Sequence, residues 1–220
     1  MPTQPLDNTL SPRKAPSQAR ARATVERILT GARQLLRERG ADAVNTRAIA
    51  EVSGVRTGSI YQYFPNKEAI LYELYGRRIQ QTVEAIERKL PPERLNQLAF
   101  GQSWVELKRA IRSVGWGSEE DVALDKAMGE DPELRKAVAP VLDQLFICLC
   151  RIMRHYGSTW PDQPLMDLAE YLFCINHFGY ATRIRQQGAK AELTRQLTEE
   201  LERYLAEKAI NTPYEPPESV

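Results

Sequence analysis

Between Arg47 and Lys67 the chain gathers side chains that can hydrogen-bond a polyanion while carrying little fixed charge. Thr57, Ser59, Tyr61, Gln62 and Tyr63 supply hydroxyl, phenol and amide groups around Gly58, and Arg47, Arg56 and Lys67 supply cations at the edges. Hydroxyls and cations suit phosphate oxygens. Amides and hydroxyls suit base edges, without the desolvation cost of a fixed charge. Catalytic chemistry is thinly provided for. The chain has two histidines, His155 and His177, and offers no Ser-His-Asp arrangement, no phosphate-cradling Gly loop and no HExxH or ExxH pair. A helical-bundle enzyme is therefore a remote alternative, and no cofactor is expected.

The elements that must hold these groups follow from NTRAIAEVSGVRTGSIYQYFPNK, residues 45–67. Asn45 is a helix N-cap candidate. The helix it opens runs through Ser53, with Ile49, Ala50 and Val52 on its apolar side and Ala50 small enough for a close helix crossing. Gly54 stands where the chain must leave that helix, and only glycine takes a left-handed backbone there without steric cost. Val55 inserts into the core. A second helix over Thr57 to Phe64 buries Ile60 and Phe64 and turns the polar set outward, and Pro65 ends it. Helix, short turn, helix is the layout of a DNA-reading helix-turn-helix.

In these residues the chain resembles the TetR family of bacterial one-component transcriptional regulators. The likeness rests on Ile28-Leu29 and Ala32, Gly40, Ile49-Ala50, Gly54-Val55, Gly58 through Phe64, and Lys67-Glu68-Ala69-Ile70-Leu71. It covers about residues 20–75. One position departs: the family usually has Ser or Thr where this chain has Arg56, so Thr57 is left to cap the second helix, and a cation is placed beside a base or phosphate. The resemblance implies DNA contacts from Arg47, Arg56, Thr57, Gly58, Ser59, Tyr61, Gln62, Tyr63 and Lys67.

Charge is divided along the chain. Residues 1–80 carry thirteen Lys or Arg against seven Asp or Glu, whereas the remainder carries seventeen against twenty-two. A basic front module and an acidic remainder suit a protein that brings one part to DNA and keeps the other off it. The first twenty residues are polar and proline-rich, with no secretory apolar region, and no apolar run reaches the length of a membrane span. Cys148, Cys150 and Cys174 are an odd number without paired CxxC spacing. They read as small buried hydrophobes in a reducing cytoplasm, with no metal site expected.

The pattern is helical throughout, so an all-α fold of about nine helices is expected. Residues 1–17 form a disordered basic arm, 18–66 the helix-turn-helix domain, 67–90 a connecting helix, 91–211 a second domain and 212–220 a disordered tail. After Pro91-Pro92 helices are expected over 94–114, 119–129, 131–155, 164–187 and 189–209, with breaks at Gly115-Trp116-Gly117, Gly129, 157–161 and Gly188. The second domain is rich in aromatics, which by default make a core. The resemblance implies a cavity for a small effector there. Phe100, Trp104, Phe146, Cys150, Met153, Phe173, Asn176 and His177 are the candidates to line it. Leu168, Leu172, Ile175 and Gly179 continue one stripe, and Leu193, Leu197, Leu201 and Leu205 recur every fourth residue of the next helix. Such stripes are either core or a partner face. The resemblance implies that they meet a second copy, giving a homodimer with two reading helices and a palindromic operator.

The leading expectation is thus a DNA-binding regulator, a repressor released by a small, largely apolar effector. The alternative is a constitutive DNA-binding protein with no effector.

Overall fold

The computed structural model describes residues 19–184, 186 and 188–216, and of Glu130 and residues 177–184 it describes the backbone alone. Ten α-helices occur among the described residues: α1 Ala19–Arg39, α2 Thr46–Ser53, α3 Thr57–Tyr63, α4 Lys67–Lys89, α5 Pro92–Leu95, α6 Phe100–Ser113, α7 Glu119–Glu130, α8 Pro132–His155, α9 Asp162–Ile184 and α10 Ala189–Asn211. A 3-10 turn, Ala41–Ala43, joins α1 to α2. The basic arm expected over 1–17 lies outside the described residues. No described helix is long and apolar enough to cross a membrane.

The chain forms two compact units. One holds residues up to Ile79 together with Gly115–Val141, and the other holds Gln80–Val114 and the residues from Leu142 onward. This differs from the expected domain boundary at residue 91, because α7 and the start of α8 belong with the N-terminal helices. The reason lies in α7 itself. Ala123, Leu124 and Met128 are buried, and Lys126 pairs with Asp42 of the 3-10 turn at 3.0 Å. Helices α4 and α8 each run through a unit boundary, and α8 does so just after its internal Pro140.

In the first unit Val25, Ile28, Leu29, Ala32, Leu35 and Leu36 of α1 recur at helical spacing and form one buried stripe, and Ile49, Val55, Ile60 and Phe64 are buried in the same unit. The close helix approach is not at Ala50, which is only half-buried. It is between α1 and the end of α2: a Cβ on Gly31 would lie 3.0 Å from the Ser53 Cβ. Four residues earlier on the same face, Arg27 donates from Nη2 to the Ser53 carbonyl at 2.8 Å. Basic groups at a helix C-terminus complement its exposed carbonyls.

The second unit differs from expectation at one helix. The stretch expected as one helix over 94–114 is α5, a break at 96–99, and α6. No Gly or Pro marks that break in the sequence. The Tyr156 hydroxyl holds it, lying within 3.1 Å of the carbonyls of both Leu95 and Leu98 and also meeting Ser103 Oγ. The Ala99 N–H then donates to the Gln102 side chain at 3.2 Å, which starts α6. The break expected at Gly129 falls two residues later, at Asp131, between the end of α7 at Glu130 and the start of α8 at Pro132. The first residues of the expected disordered tail are not loose. Trp160 Nε1 donates to the Thr212 carbonyl at 2.9 Å, and its ring meets that of Tyr214 edge-on at 5.2 Å. Two aromatic rings and a hydrogen bond hold 212–214 where proline content suggested fraying, and 217–220 lie outside the described residues.

Gly54 supplies the first test. Its φ is +64°, and an added Cβ would sit 3.0 Å from Arg27 Nη2. Gly54→Ala should cost about 1–2 kcal/mol, the usual left-handed penalty for an L side chain. Followed by circular dichroism, the midpoint of melting should fall by roughly 2–8 °C for a chain of this size. An unchanged midpoint would mean the turn is not left-handed in solution.

Candidate nucleic-acid interface

Each end of the short helices is fixed by a named group. Asn45 is extended and its Oδ1 accepts from the Ala48 N–H at 2.9 Å, so the expected N-cap of α2 is present. Gly54 closes α2 in the left-handed conformation. Helix α3 starts without a side-chain cap. Arg56 occupies the capping position with extended ψ and no capping bond, and Thr57 is already the first helical residue, so neither side chain takes the role expected of Thr57. The Arg56 carbonyl instead accepts from Ser59 N at 2.8 Å and Ile60 N at 3.1 Å. Beyond Pro65, Asn66 caps α4 by accepting from the Ala69 N–H at 2.8 Å.

The surface so built carries Arg47, Arg56, Thr57, Gly58, Tyr61, Gln62 and Lys67 exposed, with Ser59 and Tyr63 half-buried. Tyr61 is not a simple outward group. Its hydroxyl bonds Thr46 Oγ1 at 3.1 Å, tying α3 to the first turn of α2. Lys67 lies 4.0 Å from Glu68, at the limit of an exposed ion pair. Four residues that shape this face escaped the sequence reading: Arg27, Gly31, Thr46 and Asn66. Asn66 had a readable signal, an Asn following Pro65 at a helix start. Arg27 had none, because its partner is a backbone carbonyl far along the chain.

Behind this face, α4 is held by charge. Arg78 is nearly buried, donates to Asp121 Oδ1, and lies 3.2 Å from Glu120. Asp121 Oδ2 also accepts from the Gly117 N–H at 2.9 Å. The Arg78 guanidinium stacks over the Trp116 ring at 5.9 Å, and Tyr75 meets the same ring edge-on. Burial, and then the negative charge of Asp125, push the Asp121 carboxyl up to about 6 against the pull of Arg78 and the Gly117 N–H. The Gly-Trp-Gly segment read as a mere break is therefore the seat of an ion-pair cluster.

The residues proposed to line an effector cavity fall in the second unit. Trp104, Phe146 and Met153 are buried there, Phe100, Cys150, Phe173 and Asn176 are half-buried, and the His177 side chain lies outside the described residues. They gather in two aromatic groups. Phe100 meets Trp104 at 5.5 Å and Tyr156 at 5.4 Å, and Phe146 meets Phe173 at 5.8 Å. A cleft of about 260 Å³ lies between α6 and α10, and of the expected residues only Trp104 is on its wall, beside Lys108, Arg112, Glu199 and Arg203. The Trp104 Nε1–H is buried with no acceptor among the described residues.

The cysteines do not share one environment. Cys148 is buried and Cys150 half-buried, but Cys174 is exposed, which corrects the expectation of three small buried hydrophobes. Burial pushes the Cys150 thiol up to about 11.

Of the residues proposed for pairing, Leu172 is buried within its own chain, Leu168 and Ile175 are half-buried, and the Gly179 position lies outside the described side chains. Leu193, Leu197 and Leu201 are about half exposed and continue to Tyr204 rather than to the half-buried Leu205. A spacing of four drifts around a helix of 3.6 residues per turn, so a straight apolar line must shorten one step to three.

Known proteins resemble the chain in this region and in fold. Residues 28–74 match the family model described as bacterial regulatory proteins, tetR family. Over 63 residues the chain is 35% identical to the fatty acid metabolism regulator protein of Bacillus subtilis, a match covering 29% of this chain and only 32% of that protein. Over 151 residues it is 29% identical to the nucleoid occlusion factor SlmA of Haemophilus ducreyi, covering 64% of this chain and 71% of that one. Among solved structures, a TetR-family regulator from Syntrophomonas wolfei is 20% identical with a TM-score of 0.66, covering 84% of this chain and 95% of its own. RolR, solved with the ligand resorcinol, is 19% identical with a TM-score of 0.55, covering 89% and 99%. At these identities the structural likeness is one of fold.

Asp121 supplies a pH test. The unfolded carboxyl titrates near 3.9. The folded one titrates near 6, so between these values the folded chain holds a proton that the unfolded chain has released. Stability from this group is therefore fullest below about pH 4 and is lost as pH rises through 6. The loss should be about 2–3 kcal/mol by pH 7. Asp121→Asn removes the titration. In urea titrations, wild type should lose that much relative to the variant between pH 4 and 7. A difference that does not vary with pH would show that Asp121 is ionised throughout.

Proposed function

Because the chain belongs to the TetR family of bacterial regulatory proteins, we propose that this DNA-binding transcription regulator is a repressor. In this reading it binds a palindromic operator as a homodimer and is released by a small, largely apolar effector. The observation that carries the reading is the α2–α3 face. Its exposed hydroxyls, amide and cations stand on helices whose opposite sides are wholly buried at Ile49, Ile60 and Phe64. Such a face is pre-organised, so little side-chain or backbone order need be lost on docking. Thr57, Ser59 and Gln62 are assigned to base edges. Arg47, Tyr63 and Lys67 are assigned to phosphates, and Tyr61 contributes while bonded to Thr46.

Two further observations support the finer parts. The stripe Tyr171, Leu193, Leu197, Leu201 and Tyr204 leaves large apolar side chains in water on α9 and α10, where a second copy would cover them. The buried Trp104 indole N–H lacks an acceptor among the described residues, and an occupant of the second unit would provide one. Effector release requires a ligand that binds one state better than the other. Helix α4 is assigned as the lever, since it begins beside the DNA face at Lys67 and continues to Lys89.

The deciding experiment is a footprint on the DNA flanking its own gene, repeated with small apolar ligands. Lys67→Ala should weaken binding to every sequence about equally and lower the salt slope by about one. Gln62→Ala should relax preference at one base pair. If both variants bind the protected site as wild type does, the docking assignment is wrong.

The dimer has its own test. Leu197→Asp places a charge on a side chain 56% exposed in the single chain, so the subunit should fold normally. Burying that ion unpaired against a partner costs about 3–5 kcal/mol. Sedimentation at micromolar concentration should show wild-type dimers and variant monomers. Leu172→Asp would not serve, because Leu172 is buried in its own subunit. A monomeric wild type at that concentration rejects the dimer.

A further inference from the structure

We infer that Arg56 reads a guanine in each half-site through the major groove, and so sets one base pair of the operator by itself. The inference rests on the DNA-binding reading above. Arg56 is exposed, occupies the capping position of α3, and makes no capping bond. No carboxylate or carbonyl among the described residues engages its guanidinium, in contrast to Arg27, which is spent on the Ser53 carbonyl at 2.8 Å. Its backbone is fixed, because its own carbonyl accepts from Ser59 and Ile60 and Val55 beside it is buried. A free guanidinium is thus presented from a rigid base.

Position decides between a base and a phosphate. In a helix-turn-helix the N-terminal residues of the second helix reach base edges. Arg56 stands at that end, directly before Thr57. The other groups on α3 are neutral, namely Thr57, Ser59, Tyr61, Gln62 and Tyr63. A Gln amide matches adenine, and a Thr methyl matches thymine. Two parallel N–H donors match the O6 and N7 acceptors of guanine, and that is the commonest specific contact arginine makes. Arg56 alone carries such a fork on this helix. A Lys in its place would keep the charge and lose the fork.

The test selects binding sites from a random duplex library with wild type, Arg56→Ala and Arg56→Lys. Wild type should select a site with one fixed G·C pair per half-site. Both variants should lose that preference and keep the others, with a fall in affinity for the wild-type site of about five- to 150-fold, the range for one bidentate contact. Replacing the guanine with 7-deazaguanine, which removes only the N7 acceptor, should weaken wild type and leave Arg56→Ala unaffected. Arg56→Lys should retain the wild-type salt slope. If Arg56→Ala selects the wild-type site, weakens all sequences alike and lowers the salt slope by about one, Arg56 holds a phosphate and the inference fails while the regulator reading stands. If wild type selects no site, the DNA-binding reading fails and takes this inference with it.

Discussion

The grip of α1 on the last residue of α2 is the constraint on which the rest of the α2–α3 face depends. Ser53 is held from two directions, by the Arg27 guanidinium on its carbonyl and by Gly31, whose missing Cβ lets it approach. Immediately afterwards Gly54 reverses the backbone and α3 begins. Helix α3 has seven residues and no side-chain cap, so it has little stability of its own. Its direction is inherited from the turn, and the turn's direction is inherited from the grip. Burial of Ile60 and Phe64 then locks the rotation of α3 about its axis, and the Tyr61–Thr46 bond ties its outer side back to α2. A polar face with this much support can discriminate by geometry, because a misplaced acceptor cannot be followed by a moving donor.

How far the sequence disclosed this follows a simple physical division. Features set by neighbours in sequence were legible. Asn45 caps three residues ahead, Gly54 answers a local steric demand, and the stripe from Val25 to Leu36 follows from helical period alone. Features set by partners far along the chain were not. The α5–α6 break exists because a hydroxyl on Tyr156 claims two carbonyls some sixty positions earlier, and nothing at 96–99 announces it. Residues 115–141 join the first unit through Arg78 and through the apolar side of α7, a choice that helix periodicity cannot express. The error at Thr57 is of another kind. Most helix starts carry a capping side chain, whereas a short helix pinned by two core side chains holds without one.

The same division governs the apolar stripes of the second unit. Period placed Leu172 and Leu197 on comparable footing, yet one is buried and the other is half in water. Sequence pattern reports that a face is apolar, not which surface covers it. What separates the two here is the polar company that each keeps. On α10, Glu202 is buried and bound to Lys108 at 2.7 Å, and Glu199 faces Arg112 at 2.8 Å. These pairs anchor one side of α10 to α6, and the leucine line lies on another side of the same helix. An ion pair buried in this way contributes little net stability over an apolar pair, but breaking it is costly, so it fixes orientation. Lys108 and Glu202 mark the inward side of α10, together with the buried Ala206 and Ala209, and the leucines lie away from it.

A parallel logic applies to Arg78, with an opposite electrostatic outcome. One guanidinium is asked to serve Glu120 and Asp121 with the charge of Asp125 close by, so the cluster carries more negative than positive charge in a desolvated place. Burial first, and then the charge of Asp125, hold the Asp121 carboxyl up to about 6 against the pull of Arg78. Over-supplied acid makes the bond between α4 and the start of α7 weaker than its geometry suggests. The bond is directional, made by a forked donor to a carboxylate that a backbone N–H from Gly117 also holds, so it specifies one arrangement while supplying little net energy. The energy that holds α4 comes instead from its apolar side, where Ile70, Leu71, Leu74 and Ile79 are buried, so the polar cluster sets orientation and the core supplies stability.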